Sequence, residues 1–571
     1  MPAEAREVQL ADTAQGTTPL RVVGGSSDDG SADDFGDGEG TGGGTGGRGP
    51  RPRDQIVITV DEDKVAHDAI AALVSRGVLY QRCGDLVHTV KNSTARETVD
   101  RYETPVTIEK LPPLQLRRLL AKYIDFWKTT SKGDLVPAHP PEWCIGEIDT
   151  MRRWPDIDHL EAVVTTPLLR PDGTVLDEKG YDSRTGIIYE SKVEFDHILR
   201  QPTRQDAFEA RDILLETIVN FPLKTEAYKS CWMAAVLSPF ARYAYPGPTP
   251  LFVIDKNMPG AGGSLLADSI GLIAMGHPMP RMPNTADDEE MRKKITTLAM
   301  SSERMVLIDN VVGKVGTTSL DACLTSEIWQ DRVLGKNAGI TLPMKIIWLT
   351  TGNNVDLRRD TSRRSLRMLI ESQEANPEER ENLPDLPAWI YENRGRLVCA
   401  ALTLLRAYCA AGRPNMGLKP WGSFEGWSRL IRDAIVWAGM IDPGTTRETL
   451  QEDSDTDSAL LEDIIASWIS WAGGEAKTAS ELIADMRRDE AGEKAFQVPG
   501  KLSGLRSAWE EITKSKPGQA LKSSQVSYVL RTYRNRVTKG GYRFVRDDKK
   551  EAGYSWRVEK VEDSIAHQPT A

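Results

Sequence analysis

The residues with the clearest chemical potential form a glycine-rich turn after the apolar run at residues 251–254. The turn reads NMPGAGGS and leads into a pattern with helical spacing. A strand, a glycine-rich turn and a helix together can bind phosphate, because the backbone N–H groups and the helix N-terminus face an anion. In the motif G-x-x-x-x-G-K-[ST], Gly262 and Ser264 match, whereas Asn257 replaces the first glycine and Gly263 replaces the lysine.

The loop predicts an ATP site with Mg²⁺, in which the Ser264 hydroxyl contacts the metal. The residues expected to hold the nucleotide are Pro259, Gly260, Ala261, Gly262, Gly263, Ser264 and Leu265.

An ATPase also needs a carboxylate for Mg²⁺, a polar group near the γ-phosphate and a cation for the developing charge. Asp309 ends the apolar run MVLID and is the candidate metal ligand, so the predicted metal site is Ser264 and Asp309. Asn353, or its neighbour Asn354, ends IIWLTTGNN and is the candidate γ-phosphate sensor. Arg363 and Arg364 precede the next predicted strand, where they could act as an arginine finger toward a neighbouring subunit.

The missing lysine leaves three readings open: a slow ATPase with a substitute cation, a nucleotide binder that does not hydrolyse, or a degenerate structural ring. The lysine normally spans the β- and γ-phosphates, and losing such a group costs roughly 2–4 kcal/mol in the barrier. Lys256, just before the loop, and Lys314, just after the Asp309 strand, are the two nearby candidates to replace it.

Further apolar runs at 304–310, 344–354 and 365–371 alternate with helical patterns, which indicates a mainly parallel sheet covered on both faces. The fold class is therefore α/β. The predicted organisation is a disordered acidic, glycine-rich tail (1–54), a small α+β domain (55–199), a P-loop core (200–384), a helical region (385–475) and a winged helix (476–571).

Composition narrows the function classes. The 6 cysteines are scattered without a C-x-x-C pair, which suits a reducing cytoplasm and argues against a zinc ribbon. The sequence has no run apolar enough to cross a membrane and no signal-peptide core, so we expect a cytoplasmic protein. The net charge of −11 hides a strongly basic C-terminal end.

That C-terminal end predicts a DNA-binding helix followed by a two-stranded wing, with Ser523 or Ser524 as the helix N-cap. Apolar residues at helical spacing, including Val526, Val529 and Leu530, predict its buried face. The alternative is a winged helix that contacts protein, with a merely solvated basic surface. The basic residues expected to contact DNA are Arg531, Arg534, Arg536, Lys539, Lys549 and Lys550.

The run ERMVLIDNVVG…LPMKIIWLTTGNN…DTSRRSLRMLIE resembles superfamily 3 helicases of the AAA+ class, and more narrowly the helicase half of phage, plasmid and poxvirus-type primase–helicases. The resemblance implies an AAA+ core that forms a homo-hexameric or similar ring, hydrolyses ATP and moves along single-stranded DNA. It gives Asp309 the Walker B role, Asn353 the sensor role, and Arg363 or Arg364 the finger role. Asn310 stands at the position where many AAA+ proteins carry a catalytic glutamate.

The family also places a pore-lining hairpin between Asp309 and Asn353. The segment DRVLGKNAGITLPM can form it, with Lys336 at its tip as a phosphate contact or, equally, as a solvated surface lysine. The N-terminal domain has no clustered carboxylates for priming, so a separate primase or polymerase is the expected partner. The interpretation is thus a replication helicase of a phage or mobile element. The alternatives are a non-hydrolysing DNA-binding scaffold, and a regulator or defence factor on the same core.

Overall fold

The protein was analysed as a computed structural model. The structure describes residues 52–91, 103–104, 106–332, 339–374, 376–379, 384–454, 456–496, 500–513, 521–538, 540–550 and 553–561. The predicted acidic tail therefore lies almost entirely outside the described residues. Lys336 and Lys539 also lie outside them.

The N-terminal part, up to residue 157, is a mixed α/β unit with its own core. Strand β1 pairs in parallel with β5, and β2, β3 and β4 form an antiparallel sheet. The strands are β1 (Asp54–Ile58), β2 (Tyr80–Arg82), β3 (Asp85–Lys91), β4 (Val106–Lys110), β5 (Ile124–Thr129) and β6 (Leu135–Ala138), and the helices are α1 (Glu62–Val74), α2 (Pro113–Tyr123) and α3 (Glu142–Thr150).

Short strands and two helices follow and share a hydrophobic core with one face of the central sheet. Pro171, Asp172 and Gly173 form a turn signal in the sequence, and β8 and β9 pair around Gly173, whose φ is +81°. The elements are β7 (Ala162–Val164), β8 (Leu168–Leu169), β9 (Val175–Leu176), β10 (Gly180–Asp182), β11 (Ile187–Tyr189), α4 (Arg204–Leu215) and α5 (Glu226–Ala241).

The central sheet has five parallel strands in the order β13-β14-β18-β12-β20. This confirms the α/β class and the mainly parallel sheet. The elements of this part of the chain are β12 (Leu251–Lys256), α6 (Gly263–Met275), β13 (Arg281–Met282), α7 (Asp288–Met300), β14 (Met305–Val311), β15 (Lys314–Val315), α8 (Thr318–Cys323), β16 (Ile328–Arg332), β17 (Gly339–Pro343), β18 (Ile347–Asn353), β19 (Asp356–Leu357), α9 (Arg359–Ser362) and β20 (Ser365–Ile370).

Strand β12 explains why the predicted strands are apolar without alternation. All 6 of its residues are buried. Phe252 and Ile254 pack in the core on one face, whereas Leu251 and Val253 pack in the core on the other. Because successive side chains of a strand point to opposite faces, a strand covered on both sides must be apolar at nearly every position.

The rest of the chain is mainly helical and ends in a small antiparallel sheet of order β21-β23-β22. Helix α14 packs in one core with the elements that follow it. The elements are α10 (Leu386–Ala410), α11 (Glu425–Trp427), α12 (Asp433–Trp437), α13 (Thr446–Ser454), α14 (Thr456–Ala472), β21 (Lys477–Thr478), α15 (Ala479–Phe496), α16 (Ser503–Ile512), α17 (Ser523–Thr532), β22 (Tyr542–Lys550) and β23 (Gly553–Lys560). Over the residues that the structure describes, no helix combines the length and apolar character needed to span a bilayer.

Candidate nucleotide site

The glycine-rich loop connects the carboxyl end of β12 to the first residue of α6. Gly260 and Gly262 have φ angles of +76° and +88°, which favour glycine because a Cβ would be strained there. Gly262 precedes α6 without a side-chain cap, so the N–H groups of the first turn stay available to an anion. The remaining predicted loop residues lie at the same turn: Pro259 is exposed, Ala261 is buried and Leu265 is exposed.

Asn257, at the position of the first motif glycine, anchors the loop to the end of β20. Its Nδ2 donates to the carbonyl of Ser372 over 2.8 Å, and its Oδ1 accepts from the Ser372 N–H over 3.0 Å. The asparagine thus replaces a glycine with a two-bond link between neighbouring chain segments. The sequence motif indicates only that Asn257 replaces a glycine and does not predict this link.

Asp309 lies at the end of β14 and collects hydrogen bonds from two neighbouring elements. Its Oδ1 accepts from Ser264 Oγ over 3.0 Å and from Thr351 Oγ1 over 2.5 Å. Burial alone would raise the pKa of this carboxyl. The hydrogen bonds from Thr351 and Ser264 and the nearby charge of Arg281 outweigh burial and lower its pKa. Asp309 is therefore an ionised carboxylate beside the Ser264 hydroxyl.

Arg281, on the edge strand β13, is a site residue that sequence reasoning missed. Its Nη1 donates to Asp309 Oδ2 over 2.7 Å, and its Nη2 donates to Asp268 Oδ2 over 2.5 Å. The guanidinium is 43% exposed and bridges the two carboxylates. Burial raises the pKa of Asp268, and the Arg281 charge opposes that rise.

The two asparagines predicted to act in catalysis have different surroundings. Asn310 has a φ of +50° and an exposed side chain, while its backbone N–H donates to Asp309 Oδ1 over 3.0 Å. Asn353 ends β18, directly beside the end of β12, because its Cα is in register with that of Lys256. The Oδ1 atom of Asn353 is buried and accepts no hydrogen bond from a described residue.

The two candidate replacement lysines also differ. A Cβ built on Gly263 would lie 2.7 Å from Cδ and 3.2 Å from Cε of Lys256, so the Lys256 side chain crosses the first residue of α6. Lys314 instead lies on the surface, where its Nζ is 3.6 Å from Asp356 Oδ2. The structure therefore brings one of the two lysines to the loop.

Arg363 and Arg364 are not brought to the loop of their own chain. They precede β20, whose first residue, Ser365, is in register with Leu251 at the opposite end of β12. Arg364 donates to the Asp360 carbonyl over 2.6 Å and lies 3.6 Å from Asp321. Arg363 is exposed.

Strands β16 and β17 form an antiparallel hairpin between the Asp309 and Asn353 strands, at the position that the sequence predicted. Residues 333–338, which include Lys336, lie outside the described residues, so the predicted tip is not described. Near the turn end of β16, Asp331 accepts from Thr296 Oγ1 over 2.5 Å and pairs with Arg292 at 2.8 Å, which fixes the hairpin to α7.

In the C-terminal part, α17 buries Val526, Val529 and Leu530, as predicted. The predicted cap is corrected: Lys522 is the N-cap residue, and Ser523 is already the first helical residue. Strands β22 and β23 form the two-stranded antiparallel unit.

The predicted basic contacts flank these elements. Arg531, Arg534 and Lys549 are exposed, and Arg536 stacks on Tyr533 with its guanidinium carbon 5.2 Å from the ring centroid. Lys550 ends β22, and its side chain is not described.

No known protein family and no curated protein matches the chain. Among solved structures, the A form apo structure of the NrS-1 C-terminal region matches with 14% identity and a TM-score of 0.35, covering 75% of this chain and 92% of that one. The X-ray structure of the JCV helicase matches with 12% identity and a TM-score of 0.20, covering 46% of this chain and 72% of that one. TM-scores this low support no conclusion about the present chain.

Proposed function

We propose that the chain binds ATP with Mg²⁺ at the carboxyl edge of its central sheet and hydrolyses it. One observation carries the proposal: Ser264, in the first turn of a helix with an uncapped N-terminus, is hydrogen-bonded to Asp309, and Asn353 ends the strand that lies between β14 and β12. Ligands of open α/β sheets bind at this edge. An ordinary turn between a strand and a helix would not need an ionised carboxylate such as Asp309 on β14, which is separated from β12 by β18.

The residues present suit Mg²⁺, which prefers oxygen ligands and is usually held by one or two carboxylates together with substrate phosphates. Ser264 and Asp309 would hold it, because their oxygens are 3.0 Å apart and the pKa of Asp309 is lowered. The ion, when bound, would neutralise charge that develops on the transferred phosphoryl group. Arg281 now pairs with the second Asp309 oxygen, so metal binding requires this ion pair to open or shift.

The chain's own residues would bind the phosphates and orient the attacking water. The N–H groups of the loop and of the first turn of α6 face the phosphate oxygens. The Oδ1 of Asn353, which has no partner among the described residues, can accept a hydrogen bond from the attacking water and thereby orient it. Asn310 is an exposed amide that cannot take up a proton, so it acts through its backbone bond to Asp309.

We further propose that hydrolysis drives movement along single-stranded DNA in a ring-shaped oligomer. Two features support this extension: the hairpin of β16 and β17, and the exposed arginines of the C-terminal part. The cytoplasmic location and a partner primase or polymerase stay predictions.

The extension is tested by displacement of streptavidin from biotinylated single-stranded DNA. We expect displacement with ATP and none with a non-hydrolysable ATP analogue. DNA binding without displacement under either condition would contradict translocation and favour the scaffold reading.

A further inference from the structure

We infer that Lys256, which precedes the loop, replaces the motif lysine as the cation that contacts the nucleotide's phosphates. This inference rests on the proposed function, because it names a phosphate-binding residue of the same site. The motif places a lysine at position 263, on the first residue of the helix. In this chain position 263 is glycine, and the side chain that covers it comes from Lys256.

The fit between these two residues is steric. Gly263 is buried, and a Cβ at this position would lie 2.7 Å from Lys256 Cδ, closer than Cβ atoms come to other heavy atoms. A side chain at residue 263 would therefore require the Lys256 side chain to move from its present course. Because residue 263 is glycine and not the motif lysine, the space above it is open to the side chain of Lys256.

The surroundings of Lys256 point to an anionic ligand. The residue is only 8% exposed, yet its ammonium forms no hydrogen bond or ion pair with any residue that the structure describes. An ammonium that has no hydrogen-bonding partner among the described residues can form charge-assisted hydrogen bonds with an anion that binds beside it. Lys256 precedes the loop that leads to the helix N-terminus, and its backbone is in register with that of Asn353, whose buried Oδ1 has no partner among the described residues. A polyphosphate in the loop would supply the missing negative charge.

A simpler role is hydrophobic packing by the four methylene groups of Lys256 over Gly263. Lys256→Met separates the two roles, because methionine keeps an unbranched side chain of similar length and removes the charge. Lys314→Met is the matched control, since Lys314 lies on the surface beside Asp356.

The first measurement is equilibrium binding of Mg-ATP and of AMP. A hydrogen bond to a charged group contributes about 1.5–3 kcal/mol, so Lys256→Met should weaken ATP binding by roughly tenfold to a hundredfold. AMP, which lacks the β- and γ-phosphates, should bind unchanged, and Lys314→Met should bind both nucleotides as the wild type does. Unchanged ATP affinity in Lys256→Met would overturn the inference.

The second measurement moves the ammonium to its motif position. Gly263→Lys alone should impair ATP binding, because two lysine side chains would then compete for one space. The double variant Lys256→Ala/Gly263→Lys should bind ATP at least ten times more tightly than Lys256→Ala. If the double variant binds no better than Lys256→Ala, the cation role is wrong.

The outcomes also separate the inference from the proposed function. If the wild type binds and hydrolyses ATP and Lys256→Met does so equally well, the function stands and the role of Lys256 is wrong. If the wild type does not bind ATP at all, both are wrong.

Discussion

Ser264 Oγ donates a hydrogen bond of 3.0 Å to Asp309 Oδ1, joining the first turn of α6 to the end of β14. In the sequence the two residues are 45 positions apart. The bond brings the two predicted oxygen ligands for Mg²⁺ into contact, and Thr351 on β18 donates to the same oxygen over 2.5 Å. Three elements, α6, β14 and β18, are thus coupled through one carboxylate, which the proposed function assigns to Mg²⁺.

Replacing Arg281 by Gln should lower the Mg²⁺ concentration that ATP binding requires. The guanidinium pairs with both Asp309 and Asp268, and it would compete with a metal for Asp309 Oδ2. Because a partly exposed ion pair contributes little more than about 1 kcal/mol, we expect the Mg²⁺ concentration for half-maximal ATP binding to fall about two- to fivefold. The measurement is a Mg²⁺ titration at fixed ATP.

The control for this titration is Arg396→Gln. Arg396 is also 43% exposed and also pairs with a carboxylate, that of Glu216. It should leave the Mg²⁺ midpoint unchanged. Weaker ATP binding by Arg281→Gln at saturating Mg²⁺ would instead show that Arg281 contacts the nucleotide.

Replacing Asn353 by Ala should slow turnover without loss of stability. Its Oδ1 is buried without a partner among the described residues, so its removal relieves a desolvated polar atom. We expect kcat to fall roughly a hundredfold, the lower end for loss of an oriented catalytic hydrogen bond, with little change in KM.

Asn257→Ala is the matched comparison for stability, because Asn257 makes two hydrogen bonds with Ser372. At about 1 kcal/mol each, their loss should lower the midpoint of thermal unfolding. Asn353→Ala should leave that midpoint unchanged or raise it. An equal drop in both variants would mean that Asn353 is structural.

Arg363 should be the finger residue that acts on a neighbouring subunit. It is exposed, whereas Arg364 is engaged with Asp360 and Asp321 of its own chain. Arg363→Ala and Asp309→Asn should each abolish hydrolysis in oligomers that contain only that variant. Mixing the two variants should restore part of the activity, because some interfaces would combine an intact Asp309 with an intact Arg363. No recovery in mixed assemblies would contradict action between subunits.

Replacing Arg531 and Arg534 by Ala should weaken DNA binding uniformly across sequences. Both side chains are exposed at the end of α17. If each contacts a phosphate, the salt dependence of log K should become shallower by about 1 for each residue removed. Arg488→Ala is the control, since Arg488 is exposed but pairs with Asp485 within its own helix. An unchanged salt slope in the double variant would favour a protein-binding surface.

The sequence predicted the four longer strands of the sheet because continuous apolar runs have few other places to pack. It missed the fifth strand, since β13 has only 2 residues and no periodicity to detect. Arg281 was missed for the same reason. Its proximity to Asp309 follows from the sheet order, in which β13 lies beside β14.

The identity of the loop cation could not be predicted from spacing. Lys256 and Lys314 were equal candidates, because the course of a glycine-rich loop decides which side chain faces the helix. The structure separates them through the contact of Lys256 with Gly263 and the position of Lys314 beside Asp356. A helix start is similarly decided by local geometry, which is why the predicted cap of α17, Ser523 or Ser524, was one or two residues late.

The most direct test of the nucleotide site is phosphate release from ATP by the wild type and by Asp309→Asn, with and without single-stranded DNA. The variant keeps the size of the side chain but removes the charge that Mg²⁺ requires. We predict that the wild type releases phosphate, that DNA stimulates the release, and that Asp309→Asn reduces it at least a hundredfold while its DNA binding is unchanged. Equal release by both proteins, or none by the wild type, would contradict hydrolysis at this site.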